Sequence, residues 1–253
     1  MSVQKLGALV HRAQRVLVFT GAGISTGSGI PDFRGPRGVW KRWRPVYYDE
    51  FMSSQEARNR HWKYKLEGWN QFREAKPNAA HRALVELDRM GRLDVLVTQN
   101  IDGLHQLAGH PQDRVVELHG TNRWIECQSC QHLFDPEPFF EEFVRTRQSP
   151  ECKCGGFLKS ATISFGQAMP VQKIRQALDA AKRADLVMVI GSTLEVEPAG
   201  SIPRTAKENG AIYVIINQGV TAQDDLADLR IEGDALQVLP EAVEHLTERI
   251  SNS

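Results

Sequence analysis

Four cysteines stand in two pairs, Cys127-x-x-Cys130 and Cys152-x-Cys154, twenty-one residues apart, and the rest of the chain has none. Thiolates grouped in this way match a tetrahedral Zn²⁺ site, and four sulfur ligands leave no coordination position for chemistry, so the metal is expected to be structural. Its binding energy would hold together a segment too small to build its own core. The second pair is one residue tighter than the commoner spacing, which keeps His132 as an alternative fourth ligand. A different chemistry is implied by Thr20-Gly-Ala-Gly-Ile-Ser-Thr-Gly-Ser-Gly-Ile-Pro-Asp-Phe-Arg-Gly35. Glycines there let the backbone turn sharply and approach a ligand, and amides that open a helix hold phosphate. Gly21 and Gly23 fit the dinucleotide fingerprint, but Gly27 comes one residue late, and Asn217 rather than an acidic residue closes the last strong strand. Nucleotide binding is expected; plain hydride transfer is not. Polar side chains also follow two apolar runs: His119 before Gly120, and Gln99, Asn100 and Asp102 in one short turn. Strand C-terminal ends are where open α/β sheets place ligands, and an imidazole of ordinary pKa about 6.5 suits general-base work at neutral pH. Asn and Asp also suit tight turns for purely local reasons.

These residues need elements to hold them. Residues 16–20, 93–98, 115–118, 186–190 and 211–216 are apolar runs of strand length, the pattern of strands covered on both faces. Helical periodicity separates most of them. Leu6, Leu9 and Val10, with Ala13, mark a first helix, and Trp62, Leu66 and Trp69 mark another over residues 55–72. Asn78 is placed to cap a third that turns Leu84, Leu87 and Met90 inward, and residues 171–183 and 201–209 supply two more. Alternating strands and helices predict an α/β fold, a Rossmann-like parallel sheet with helices on both faces. Residues 121–160 differ, holding every cysteine and no long apolar strand, and are expected to form a small inserted zinc-binding module. The remainder, residues 1–120 and 161–253, forms the Rossmann-like domain, with part of 36–75 contributing a helical small-domain element. The Gly- and Pro-rich stretch from residue 21 to about 45 has little periodicity, and loops of that size in compact domains are usually functional.

The 253 residues carry 31 Lys+Arg against 31 Asp+Glu, with 41% hydrophobic and 25% charged residues, which excludes a disordered or supercharged chain. Zero formal net charge disfavours nucleic acid or an anionic membrane as the main partner. No apolar run reaches about 18 residues, and the N-terminus lacks the layout of a signal peptide. With the clustered cysteines, this predicts a reducing, cytoplasmic location.

Taken in order, Gly21-Ala-Gly-Ile-Ser25, Gly29-Ile-Pro-Asp-Phe-Arg34, Thr98-Gln-Asn-Ile-Asp102 with Leu104-His105, His119-Gly120, Gly191-Ser-Thr193, Asn217 and Gly233-Asp-Ala-Leu-Gln-Val-Leu-Pro240 resemble the sirtuins of bacterial type. The resemblance runs from about residue 5 to about residue 250, with a cysteine quartet in the family's expected place. It implies an NAD-dependent protein-lysine deacylase that acts on acylated-lysine proteins or peptides and releases nicotinamide and O-acyl-ADP-ribose. In that family the acyl oxygen attacks the ribose C1′ as nicotinamide leaves, a step akin to glycoside cleavage without need of a general acid.

Residue by residue, the resemblance makes His119 the general base and Asn100 a second catalytic group that holds the nicotinamide ribose and a water. Asp102 would receive the nicotinamide carboxamide, Gln99 would orient ribose hydroxyls, and Ser25 and Arg34 would contact phosphate and ribose. Asp32 would order the loop and Phe33 would shield the reacting sugar. Gly21, Ala22, Gly23, Trp40, Gly191, Ser192, Thr193, Asn217, Gln218, Gly219 and Ala235 complete the expected NAD contacts. Ile163, Ser164, Phe165 and Gly166 resemble the segment that pairs with the substrate backbone as an added strand. Gln167 stands where many relatives have Glu, so little preference for basic flanking residues is expected.

Sirtuins that prefer acidic acyl groups resemble one another in a Tyr-x-x-Arg pair, and here Tyr64 is followed three residues later by Glu67. Without that Arg–carboxylate clamp, succinyl-lysine is expected to be a poor substrate and deacetylation the lead activity. Two other readings compete. A mono-ADP-ribosyltransferase would capture the same activated ribose with a protein nucleophile, and an NAD-sensing scaffold would need no base at C1′.

Overall fold

The computed structural model describes residues 2–33, 35 and 38–251. Helix α1 (Ser2–Arg12) leads into strand β1 (Val16–Thr20), and after the glycine loop come α2 (Tyr48–Ser53), α3 (Gln55–Glu74) and α4 (Ala79–Arg89). Strand β2 (Leu93–Thr98), α5 (Leu104–Ala108) and β3 (Val115–Glu117) follow. The chain then makes β4 (Gly120–Cys127), β5 (Leu133–Phe134), α6 (Glu137–Thr146) and β6 (Leu158–Thr162). It returns through α7 (Val171–Arg183), β7 (Leu186–Ile190), α8 (Ser201–Glu208), β8 (Ile212–Asn217), β9 (Leu229–Glu232) and α9 (Ala235–Ser251).

Six strands form one parallel sheet in the order β3-β2-β1-β7-β8-β9. Side chains on a strand point alternately to its two faces, so a run that is buried throughout must feed two cores. Val16 and Val18 of β1 enter one core with α1, α4 and α9, while Leu17 and Phe19 enter the other with α7 and α8. Strands β7 and β8 split in the same way: Met188 and Val214 face one layer, Val189 and Tyr213 the other. The strand order reverses between β1 and β7, the switch point at which doubly wound sheets open a crevice for dinucleotides.

Strand β9 did not stand out in the sequence. It is a four-residue edge strand in which only Leu229 and Ile231 turn inward, too short a pattern to separate from a turn. Residues 120–162 build a second, antiparallel sheet in the order β5-β4-β6, and β4 carries the eight-residue strand that its polar sequence concealed. Gly120 starts β4 at φ +73°, where a Cβ would lie 2.1 Å from Ala161 O, so only glycine lets β4 turn off the end of β3 against β6. Helix α3 covers this small sheet. Trp62 packs with Ile125, Phe140, Phe143 and Leu158 and donates its indole N–H to Leu158 O at 3.0 Å.

Candidate active site

Gly21 N donates to Ile190 O at 3.0 Å and Gly23 N to Gly191 O at 2.9 Å, which draws the ends of β1 and β7 together. A Cβ on Gly21 would fall 2.6 Å from Gly191 O, and one on Gly23 2.7 Å from Gly191 Cα, so the crossing is closed to any larger residue. Beyond it the glycine loop winds into a 3₁₀ turn over Ala22–Ser28 rather than an irregular run. Asn78 caps α4, as its position implied, and its Nδ2 also donates to Ile24 O and Ser28 Oγ, pinning the turn to that helix. Asp32 accepts from Gly35 N at 2.8 Å, which orders the next bend.

A cavity of about 710 Å³ lies at the switch point. It is bordered by Gly21, Ala22, Gly23, Asp32, Phe33, Trp40, Gln99, Asn100, His119, Gly191, Ser192, Thr193, Asn217, Gln218, Gly219 and Ala235. Ile163, Ser164, Phe165 and Gly166 border it from the small sheet's side. Ser25 and Asp102 do not; they line a second cavity of about 230 Å³ that Phe33, Asn100 and Ile101 share with the first. Arg34 lies outside the described residues.

His119 Nδ1 stands 3.0 Å from Gln99 O. A carbonyl only accepts, so Nδ1 carries the proton and Nε2 carries the lone pair, which makes Nε2 the basic nitrogen at the cavity. Gln99 in turn donates its Nε2 to Ser192 Oγ at 2.8 Å, tying the ends of β2 and β7. Asn100 donates to Gly21 O and Ser25 Oγ at 3.1 and 3.2 Å, and its backbone N–H donates to Thr98 Oγ1. Asp102 accepts from Ser25 Oγ and Leu104 N, both at 2.8 Å. Burial raises the Asp102 carboxyl pKa, opposed by the Leu104 and Ser25 hydrogen bonds and the Arg123 charge. Asn217 turns its Nδ2 onto Gln218 O and Gly219 O, leaving Oδ1 as the acceptor this side chain offers a hydroxyl.

Residues 163–166, expected to pair with substrate, are partly satisfied internally. Ile163 N donates to His119 O, Tyr48 N donates to Phe165 O, and Ser164 N donates to the Gln167 side chain. A strand added there would pair with the remaining groups or displace the Gln167 amide. Sequence reasoning missed Lys65 and His61, which border the main cavity from α3 together with Tyr64; helical spacing marked that helix for Trp62, Leu66 and Trp69, and Tyr64 stood out only for lacking an arginine three residues on.

The four cysteine sulfurs lie within 4.8 Å of one another, with Cys127 and Cys154 3.5 Å apart and Cys130 and Cys152 3.9 Å apart. Four thiolates at about 2.3 Å from one tetrahedral Zn²⁺ stand about 3.8 Å apart, so the quartet fits the ion. His132 is not in that group, its ring standing edge-on to Phe134 at 4.5 Å, and the fourth sulfur in it is that of Cys154.

A parallel sheet in this strand order, with a glycine crossing and polar side chains around the crevice, defines a dinucleotide-binding protein of Rossmann type. The Sir2 family profile matches residues 21–198, and the chain belongs to the Sir2 family. It is 44% identical over 238 residues to an NAD-dependent protein deacetylase of Rhodopseudomonas palustris, covering 94% of each chain. It is 38% identical over 246 residues to NAD-dependent protein deacylase 2 of Archaeoglobus fulgidus, covering 96% of each. A solved Sir2 enzyme carrying a deacetylated p53 peptide and 3′-O-acetyl ADP-ribose superposes with a TM-score of 0.90 at 33% identity, over 96% of this chain and 98% of that one. A Sir2 protein bound to a myristoylated histone peptide superposes with a TM-score of 0.81, also at 33% identity, over 100% and 99%.

Proposed function

We propose that this protein is an NAD-dependent protein-lysine deacylase acting on acylated-lysine proteins or peptides. The observation that carries the reading is the lone-pair nitrogen of His119 bordering one cavity with the glycine crossing and with Ile163–Gly166. Bound NAD supplies a ribose C1′ made electrophilic by its cationic nicotinamide. The chain's own groups do the rest. His119 Nε2 takes a proton from a ribose hydroxyl, the Asn100 amide is held by Gly21 O and Ser25 Oγ to orient that sugar, and Phe33 and Trp40, stacked at 5.3 Å, exclude water. Asp102 at the second cavity takes the nicotinamide carboxamide, and Ser25 serves by holding Asp102 and Asn100 rather than by reaching the main cavity.

In this reading residues 1–120 and 161–253 are the NAD-binding domain, 121–160 the zinc module and part of 36–75 its helical companion. One structural Zn²⁺ held by Cys127, Cys130, Cys152 and Cys154 fixes β4 against β6. The proposed location is cytoplasmic; no helix among the described residues is long and apolar enough to cross a membrane. Incubation with NAD and acyl-lysine peptides tests the activity. Nicotinamide, free lysine and O-acyl-ADP-ribose are the expected products, whereas ADP-ribose attached to protein would identify the transferase instead.

A further inference from the structure

Helix α3 brings a cation into the site that the glycine loop does not need. Lys65 borders both cavities, and its ammonium donates to Asn122 Oδ1 at 2.8 Å and to Thr162 Oγ1 at 3.5 Å. Both partners are neutral. Among the described residues no carboxylate pairs with Lys65, and those bordering the main cavity are engaged elsewhere. Asp32 holds Gly35 N, Glu197 pairs with Arg204, and Asp234 caps Leu236 N.

The charge that acts on Lys65 is also positive. Lys159 on β6 is fully buried, giving its ammonium to the Ser160 and Thr162 carbonyls, and it acts electrostatically on Lys65. One turn before Lys65, His61 borders the main cavity, is only 6% exposed, and has an Nε2 with no hydrogen-bond partner. Tyr64 brings no negative charge, because burial pushes its phenol up to about 12. Lys65 and His61 thus border the same cavity as the aromatic rings of Phe33, Trp40 and Tyr64, with the ammonium 5.6 Å from the Tyr64 ring centroid. Thr162 immediately precedes Ile163–Gly166, the segment read above as pairing with substrate, so the ammonium is tied to the start of that segment.

We propose that Lys65 selects the acyl group, its ammonium binding the terminal carboxylate of a dicarboxylic acyl-lysine such as succinyl-lysine. The proposal rests on the deacylase reading and replaces the expectation, drawn from the missing Tyr-x-x-Arg pair, that acidic acyl groups are poor substrates. The cation is present in another residue of the same helix. Burial and the Lys159 charge press the Lys65 pKa down to about 7, and an arriving carboxylate reverses that pressure and keeps the ammonium charged. The chemistry balances as for any acyl group. NAD and water are consumed, the amide C–N and C1′–nicotinamide bonds break, and the acyl carbon ends on a ribose oxygen. Nicotinamide leaves neutral with the C1′–N electron pair, and C1′ takes the former amide oxygen. The water oxygen becomes the ester carbonyl, the two water protons end on the lysine amine, and the distal carboxylate passes through unchanged.

The test uses one peptide sequence carrying acetyl-lysine, succinyl-lysine or its uncharged isostere 4-methylpentanoyl-lysine, with saturating NAD and nicotinamide release as readout. In the wild-type protein kcat/KM for succinyl is expected to exceed that for the isostere by about tenfold or more, the scale of one charge-assisted hydrogen bond. Lys65→Met collapses that ratio toward one, and Lys65→Arg retains part of it. A wild-type ratio at or below one, with acetyl-lysine turned over, overturns the proposal alone, as does a Lys65→Met ratio equal to wild type. Should Lys65→Met fail to fold, the wild-type ratio still decides. No nicotinamide release from any peptide overturns the deacylase reading and this proposal with it.

Discussion

The proton on His119 is set by a backbone atom. Gln99 O occupies Nδ1, so the ring meets the cavity as a base at any pH where it is neutral, and no second carboxylate is needed to choose the tautomer. His119→Ala should therefore lower kcat/KM by at least about a hundredfold, the usual range of a general base, while the thermal midpoint stays near wild type. Retention of more than a tenth of the activity would remove His119 from the mechanism. Gln167 spends its side-chain oxygen on Ser164 N at 3.1 Å and brings no charge to the substrate segment. Peptides with neutral and with basic residues flanking the acyl-lysine should then differ by less than about threefold in kcat/KM, since an exposed charge pair contributes little even where one exists. A strong basic preference would show that another carboxylate reads the flanks.

At the scale of elements, the small sheet depends on two anchors. One is the core around Trp62, whose neighbours come from α3, α6, β4 and β6. The other is the thiol quartet that closes the hairpins 127–130 and 152–154 over each other. With so few apolar residues, the metal should decide whether β4, β5 and β6 stay paired. Cys130→Ser is expected to abolish binding of one zinc per chain, read by elemental analysis, and to accelerate amide exchange in residues 120–162 more than in the parallel sheet. A metal-free wild-type protein with full protection there would contradict the assignment. The periodicity of α3 was legible in the sequence, because Trp62 repeats with Leu66 and Trp69. The direction of Lys65 was not, because a lysine between two aromatic positions reads as solvated until a second sheet is packed across it.

Across the whole molecule, three imidazoles are buried together behind the polar turn of residues 99–102. His81 and His105 have ring centroids 5.0 Å apart, and His105 and His110 5.8 Å. His105 Nε2 meets Thr20 Oγ1, which bonds Thr98 Oγ1, the acceptor of Asn100 N, so the cluster supports the polar turn from beneath. Burial lowers all three pKa values first, and mutual repulsion lowers those of His81 and His105 further, with His81 reaching about 4. These groups are neutral in the folded chain, whereas the unfolded chain binds their protons below about pH 6.5. Stability is thus full above that pH and falls as pH drops from about 6.5 toward 4. His81 alone accounts for about 2 kcal/mol of loss at pH 5, from a shift of about 1.4 kcal/mol per unit. Urea midpoints measured from pH 7.5 to 4.5 should show this decline, and His81→Gln should flatten it. An unchanged slope in that variant would mean that acid acts elsewhere.

The order of apolar runs and helical stripes alone predicted a parallel sheet covered on both faces, because burial on two sides removes polar residues from a strand. The glycine loop, the strand-end polar residues and the paired cysteines were equally visible, since backbone clearance, base chemistry and metal ligation each demand particular residue types. Only tertiary structure decided how these pieces meet. It placed Ser25 and Asp102 in the smaller cavity, gave the fourth sulfur position to Cys154, supplied a short sixth strand, and brought Lys65 to the border of both cavities. Those outcomes depend on contacts between residues tens of positions apart, where the packing of one sheet against another sets direction and distance and local pattern has no influence.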